Sequence, residues 1–117
     1  MPAYAIAHLR SVELNDEIVT YLREIDATLE PYEGRFLIHG ALPEVVEEPF
    51  GGALVCIEFP DLERARAWYA SDAYQAILPL RTENSDSSAI VVDGTPAGYR
   101  ASSFAETVIA QIGRDGG

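Results

Sequence analysis

The stretch Leu54–Arg81, LVCIEFPDLERARAWYASDAYQAILPLR, decides the fold of this chain. It opens with an apolar run that only Glu58 interrupts, and such a run predicts a buried strand. Asp61 follows a proline and is a favoured N-cap residue, so it predicts the start of a helix. A second short helix is predicted to begin at Asp72 and to end at Pro79.

The segments on either side complete an alternation of strands and helices. The sequence predicts a strand over 2–10, a helix from Asn15 or Asp16 to Leu29, a strand over 35–40 and a last strand over Ala89–Val92. This β-α-β-β-α-β order is that of the ferredoxin-like α+β fold, with an antiparallel sheet and both helices on one face. A second copy of the chain would cover the other face, which predicts a two-fold homodimer.

The period of two along a strand assigns side chains to faces. In the first strand, Tyr4, Ile6 and His8 share one face, and both faces are largely apolar. In the second strand, the same rule puts His39 on the face of Arg35. The alternation does not say which face of the first strand meets the helices, so His8 can lie on the cleft side or on the opposite side.

A C-terminal tail follows the predicted domain. Gly94, Pro96 and Gly98 follow the last predicted strand and indicate a domain boundary. We therefore expect a ferredoxin-like domain over residues 1–98 and a tail over 99–117. A short amphipathic helix that ends at Gly113 is predicted from apolar residues at helical spacing, namely Phe104, Val108, Ile109 and Ile112. We expect this helix to dock on its own domain or on the partner subunit, and to fray in solution if it does neither.

The composition excludes several kinds of chemistry. The net charge is −11 and all eight basic residues are arginine, so no basic stripe is present and nucleic acid is not an expected partner. The absence of lysine excludes Schiff-base chemistry, a pyridoxal phosphate anchor and a phosphate-binding loop lysine. No apolar run is long enough to span a membrane, and the lone Cys56 fits a reducing compartment, so we expect a cytoplasmic protein without a membrane partner.

The run from Glu58 to Arg81 resembles the bacterial family known as domain of unknown function 1330. Members of that family carry similar E-F-P-D, A-x-x-W-Y-x-S and Y-Q-x-x-L-P-L-R motifs. In this chain the motifs stand at Glu58–Asp61, Ala65–Ser71 and Tyr74–Arg81. The strand around Tyr4 and the stretch Tyr32–Leu37 are also similar, and the resemblance covers residues 2–94.

The resemblance implies the dimeric α/β-barrel superfamily, in which two ferredoxin-like subunits pack their sheets into a barrel. A cleft then lies between each sheet and its helices. Relatives in that wider superfamily include small cofactor-free monooxygenases, lactone isomerases and haem enzymes, although the family itself has no settled activity. We expect no cofactor and no metal here, because haem would need a proximal ligand and a larger cavity, and two histidines without an H-x-H pattern do not predict a metal site.

Two histidines are candidates for the site. His39 precedes a bend at Gly40 and has the chemistry of a general acid or base near neutral pH. Its alternative role is that of a hydrogen-bonded strand residue at the edge of the cleft or of the interface. His8 is a candidate ligand contact if its strand turns that face to the cleft.

Three residues of the quoted stretch are candidate ligand contacts. Trp68 would form the wall of an apolar pocket, or would simply pack against the sheet. The hydroxyl of Tyr74 can face the cleft. Arg81 could clamp a carboxylate with two hydrogen bonds, and its alternative is a salt bridge to a carboxylate of the chain, with Glu58, Asp61 or Glu83 as partner.

These residues favour a homodimer that binds a small apolar or carboxylate-bearing molecule in the sheet–helix cleft. Whether it is an enzyme stays open. If it is one, a cofactor-independent isomerase or monooxygenase-like enzyme is the expected type. The alternatives are a non-catalytic ligand-binding protein of the same fold and a structural interaction protein whose docking element is the C-terminal helix.

Overall fold

The computed structural model describes residues 1–116, with side chains as far as Arg114. The strands are β1 (Ala3–Val12), β2 (Arg35–Ile38), β3 (Ala53–Phe59) and β4 (Ser85–Asp93). The helices are α1 (Asp16–Leu29), α2 (Leu62–Ala70), α3 (Asp72–Thr82) and α4 (Ala101–Gly116), and a 3-10 turn at Glu30–Tyr32 follows α1. This order confirms the predicted ferredoxin-like α+β fold. Gly117, the last residue of the predicted tail, lies outside the described residues.

The sheet is antiparallel, with strand order β2-β3-β1-β4 and β1 in its interior. Residues opposite one another in the register share a face, so Ala5 lies with Ile57 and Val91, while Ile6 lies with Cys56 and Ile90. The first set meets the helices, and we call this side of the sheet the helix face. The second side is the outer face. The predicted grouping of Tyr4, Ile6 and His8 is confirmed, and it belongs to the outer face.

The core lies between the helix face and helices α1, α2 and α3. Ile18, Ile25 and Leu29 of α1 are buried there. Phe59 from β3 is fully buried, with its ring centroid 5.4 Å from that of Trp68. Each helix of this layer starts at a side-chain cap: Asn15, Asp61 and Ser71 each accept a hydrogen bond from a backbone N–H three residues on.

Helix α3 is longer than predicted. It continues through Pro79 to Thr82, and the N–H of Glu83 still donates to the Pro79 carbonyl oxygen at 2.9 Å. Proline lacks the backbone donor of that position, but its cost is offset here because buried residues of α3, among them Tyr74 and Ile77, hold the helix in the core. The added turn carries Arg81 onto the same face of α3 as Tyr74.

Strand β4 begins at Ser85, four residues before the predicted start at Ala89. The polar residues extend the strand because their hydroxyls find partners on α3. Ser85 Oγ donates to the Arg81 carbonyl oxygen at 2.6 Å, and Ser87 Oγ accepts from Arg81 Nη1 at 2.8 Å. With these bonds made, a serine-rich run can pair with β1 without leaving polar groups unsatisfied.

Helix α4 confirms the predicted C-terminal helix, but it runs through Gly113 instead of ending there. All its described side chains are exposed, including the four apolar residues that share one face. The expectation that α4 docks on its own domain is therefore wrong. Docking on a partner subunit stays a prediction.

The approach of β3 to β1 depends on a glycine. Gly52 lies at φ +87°, in the left-handed region, and a Cβ built on it would stand 1.9 Å from the carbonyl oxygen of Leu9. Its neighbour Gly51 has no atom within 4 Å of the corresponding position. A side chain is therefore excluded at Gly52 but has room at Gly51, so Gly51 can serve as the control for a substitution at Gly52.

We expect Gly52→Ala to lower the free energy of unfolding by about 2 kcal/mol or more, because a left-handed alanine costs roughly 1–2 kcal/mol before the clash with β1 is added. Gly51→Ala should change it by less than about 0.5 kcal/mol. Chemical denaturation of both variants measures the difference. Equal losses in the two variants would contradict the close approach at Gly52.

Candidate functional site

A cavity of about 500 Å³ lies between the helix face of the sheet and helices α1, α2 and α3. This volume is typical of small-molecule sites, which range from roughly 300 to 1,000 Å³. Most of its wall is apolar, and small side chains from the strands form its floor. The floor and walls include Ala5, Ala7, Leu9, Ile18, Ile25, Ala53, Val55, Ile57 and Ala89.

Three polar side chains meet in the lining of this cavity. The hydroxyl oxygens of Tyr21 and Tyr74 are 2.7 Å apart, and the Arg81 guanidinium faces both. The exposed fractions are 8% for Tyr21, 2% for Tyr74 and 8% for Arg81, so all three are withdrawn from bulk solvent. We call these residues the phenol–arginine cluster.

Among the side chains of residues 1–114, Arg81 has no carboxylate partner. Of the carboxylates that the sequence suggested, Glu58 pairs with Arg35 at 2.8 Å and Asp61 pairs with Arg64 at 2.9 Å. The predicted alternative of a salt bridge is therefore not found in the described chain. Arg81 is held instead by neutral groups, namely the two phenols and the hydroxyl of Ser87.

The cluster keeps its arginine charged and its phenol protonated. Burial alone would lower the pKa of Arg81, but the oxygens of Tyr74 and Tyr21 outweigh it, so the pKa of the guanidinium is raised above its usual value. Burial, and then Tyr74, raise the pKa of the Tyr21 hydroxyl far above its usual range. Tyr21 therefore remains a neutral hydroxyl across the physiological pH range.

Trp68 fulfils both of the roles that the sequence left open. Its ring packs against Phe59 of the sheet and stands 4.1 Å from the ring of Tyr74, and it also lines the cavity. Its Nε1–H donates to Thr28 Oγ1 at 2.9 Å, so the polar edge of the indole is satisfied by α1. Trp68 therefore presents an aromatic surface to the cavity without an unpaired donor.

His39 reaches the cavity through an irregularity in the sheet. The register of β2 against β3 shifts between Phe36 and Ile38, so that Ile38 opposes Cys56 on the outer face. The predicted strict alternation of β2 is therefore wrong, and Phe36 and His39 both line the cavity, with ring centroids 4.8 Å apart. His39 is exposed, which places it at the open edge of the cavity.

His8 lies on the outer face and is not among the residues that line the cavity. Its Nε2–H donates to the Gly51 carbonyl oxygen at 2.7 Å, and its ring stacks on Phe50 at 4.3 Å. These contacts fix the loop that precedes β3. The geometry therefore gives His8 no part in the cavity.

Tyr21 and Ser87 are functional candidates that the sequence pattern did not single out. Tyr21 falls at helical spacing among apolar residues of α1, and Ser87 lies just before the predicted last strand, Ala89–Val92. A signal existed for Tyr21: a phenol on a buried stripe requires a hydrogen-bond partner, and the partner is Tyr74. Ser87 could be found only once the register of β4 against β1 was known.

Other chemistries find little support in the described residues. Where the structure describes side chains, in residues 1–114, no three or more histidine, cysteine, aspartate or glutamate side chains are grouped so that they could hold a metal ion. Burial, and then Glu58, raise the pKa of the Cys56 thiol, which disfavours the nucleophilic thiolate. None of the described helices has the length and hydropathy needed to cross a membrane.

We expect Thr28→Val to lower the free energy of unfolding by about 1–3 kcal/mol, because the isosteric change leaves the buried Trp68 Nε1–H without its acceptor. Thr20→Val is the matched control on the same helix, where the hydroxyl is exposed and bonds only to the Asp16 carbonyl oxygen. Trp68 is the only tryptophan, so its fluorescence reports unfolding at the cavity itself. Equal losses in both variants would refute this role of Thr28.

Comparisons with known proteins bear on the fold and on the family. No curated protein matches the chain. The RPA0582 protein of unknown function from Rhodopseudomonas palustris is 14% identical with a TM-score of 0.61, and the match covers 81% of this chain and 83% of that one. A dimeric ferredoxin-like protein of unknown function from Jannaschia sp. CCS1 is 11% identical with a TM-score of 0.59, and the match covers 80% of this chain and all (100%) of that one.

At such low identities these likenesses show the fold alone. The family model is more specific, since that of the domain of unknown function DUF1330 matches residues 2–95, which includes every strand and helices α1 to α3. The chain belongs to the DUF1330 family.

Proposed function

We propose that this protein is a homodimer that binds a small, mostly apolar molecule carrying a carboxylate in the cavity between its sheet and helices. The observation that carries the proposal is Arg81. It is a buried guanidinium, without a carboxylate partner in the described chain, at the lining of an otherwise apolar cavity of about 500 Å³.

A buried cation is costly to maintain. Withdrawing a charge from water costs several kcal/mol unless a counter-charge or good hydrogen bonds compensate for it. The phenols and Ser87 supply dipoles to Arg81, but no negative charge. A ligand carboxylate would supply that charge together with two parallel hydrogen bonds, while the apolar wall would take the body of the ligand.

A catalytic version of this function requires a group that moves a proton. His39 is the titratable side chain at the open edge of the cavity, so it is the candidate for an isomerase or monooxygenase-like activity without a cofactor. A binding protein without catalysis needs only the cavity and Arg81. Conversion of a bound ligand by the wild type but not by His39→Ala would favour the enzyme.

The homodimer is proposed from the outer face of the sheet. Ile90 and Val92 are 56% and 41% exposed there, beside the half-buried Tyr4 and Ile6. A flat apolar sheet face of this kind is typical of an interface, and a second copy would cover it symmetrically. The Jannaschia protein of the same fold is dimeric. We also propose a cytoplasmic location, since a lone free cysteine suits a reducing compartment.

Helix α4 belongs to the same proposal. Its apolar face is exposed on its own subunit, and an isolated helix of 16 residues is marginal in water without packing. The helix follows β4, the strand that contributes Ile90 and Val92 to the outer face. We therefore propose that α4 packs on the partner subunit.

We expect Arg81→Met to weaken the binding of decanoate, used as an apolar carboxylate probe, by about 10- to 150-fold. This range corresponds to the roughly 1.5–3 kcal/mol of a charge-assisted hydrogen bond. Isothermal titration calorimetry and quenching of Trp68 fluorescence measure the dissociation constant. Arg81→Lys keeps the charge but loses the two-pronged geometry, so it should bind with intermediate affinity.

Arg66→Met is the matched control, because Arg66 is exposed on α2 outside the cavity. It removes the same charge from the protein and should leave the dissociation constant for decanoate unchanged. Wild-type protein that does not bind decanoate, or that binds it no better than Arg81→Met, would refute the carboxylate site. Circular dichroism and the melting temperature establish that each variant is folded.

We expect light scattering at micromolar concentration to give twice the 12.8 kDa mass of one chain. Ile109→Ser, on the apolar face of α4, should raise the dimer dissociation constant about tenfold or more, since burial of a large apolar side chain contributes roughly 1.5–3 kcal/mol. Ala110→Ser is the control, one residue further round the helix.

Truncation after Gly98 should weaken the dimer at least as much as Ile109→Ser. A wild-type mass near 12.8 kDa would contradict the dimer. A truncated chain with an unchanged dimer dissociation constant and melting temperature would contradict the docking of α4 alone.

A further inference from the structure

We propose that the Tyr21–Tyr74 pair donates a hydrogen bond to the head group of the ligand and restricts that head group to one that only accepts hydrogen bonds, such as a carboxylate. This inference rests on the proposed function and concerns the same cavity. It assigns a role to Tyr21, which the sequence pattern did not indicate, and it follows from counting the hydrogens of the two phenols.

One of the two hydroxyl hydrogens of the tyrosine pair has no acceptor among the described side chains. Two phenols carry two O–H hydrogens, and the 2.7 Å contact between their oxygens uses one of them. Among the side chains described, which run as far as Arg114, no other acceptor is hydrogen-bonded to either oxygen. Both tyrosines line the cavity, so an acceptor on a ligand can approach the remaining hydrogen.

The rest of the cluster supplies donors. Arg81 carries five N–H donors and no acceptor, and one of its nitrogens, Nη1, already donates to Ser87 Oγ. The phenol oxygens face the guanidinium, whose N–H groups compete for them as acceptors. An amide head group would bring N–H donors that must compete with the guanidinium for these oxygens, whereas a carboxylate brings only acceptors.

The same count predicts how substitutions combine. Replacing one tyrosine by phenylalanine removes one hydrogen and also removes the mutual hydrogen bond, so one free hydroxyl hydrogen remains. Replacing both tyrosines leaves none. The single variants should therefore bind the ligand nearly as well as the wild type, and the double variant should not, a pattern that independent contributions cannot give.

The experiment titrates decanoate into the wild type, Tyr21→Phe, Tyr74→Phe and the double variant, with Trp68 fluorescence and calorimetry as readouts. We expect each single variant to keep the dissociation constant within about threefold, and the double variant to raise it about tenfold or more, the loss of one hydrogen bond to a charged group. Tyr32→Phe is the matched control, because Tyr32 packs against the core without lining the cavity.

Decanamide, of the same length as decanoate, tests the selectivity without any substitution in the protein. The wild type should bind it at least about tenfold more weakly than decanoate. This comparison tests the preference for a carboxylate over an amide head group even if the double variant does not fold.

The outcomes separate this inference from the proposed function. If decanoate binds with Arg81-dependent affinity but the double variant retains the wild-type dissociation constant, the role of the phenols is refuted and the carboxylate site stands. Losses in the single variants that add up to the loss in the double variant would refute it as well, and so would equal binding of decanamide and decanoate. Failure of decanoate to bind the wild type refutes both.

Discussion

The alternation of β1 is the constraint on which the rest of the structure depends. As an interior strand of the sheet it lies against the helices with one of its faces, and it places alanine at Ala3, Ala5 and Ala7 on this helix face. Large side chains there would fill the space under the helices to the density of a normal core. Because alanine side chains are short, space remains between the sheet and the helices. The floor of the cavity is formed by Ala5, Ala7 and their small neighbours on β3 and β4.

The cavity acquires its chemistry because two polar features converge at its lining. Helix α3 continues through Pro79, and its last turn places Arg81 two turns after Tyr74 on the same face of the helix. Strand β4 starts early enough for Ser87 to stand opposite Leu9 on the helix face, where its hydroxyl meets the guanidinium. Neither feature by itself would bring the guanidinium of Arg81 to the hydroxyl of Ser87. Together they hold the charged guanidinium of Arg81 in apolar surroundings. No carboxylate among the described side chains neutralises this charge.

Much of this fold could be predicted from local sequence. Asp61 and Asn15 cap helices, and the faces of β1 follow from a period of two, because these features depend only on neighbouring residues. The bulge that turns His39 to the cavity could not be predicted, since it depends on the register of β2 against β3. Tyr21 and Tyr74 are far apart in sequence and meet only through the packing of α1 on α3.

The charge of the protein bears on how an anion would reach such a site. A net charge of −11 repels a carboxylate at long range, whereas the attraction of Arg81 acts at short range inside the cavity. Salt screens the first interaction over a Debye length of roughly 8–10 Å and affects the buried contact much less. Association would therefore become faster as salt is added, while dissociation would change little. Selectivity would then reside in the contacts of the buried cluster, where the number of donors, and not the overall field of the protein, decides which head group remains bound.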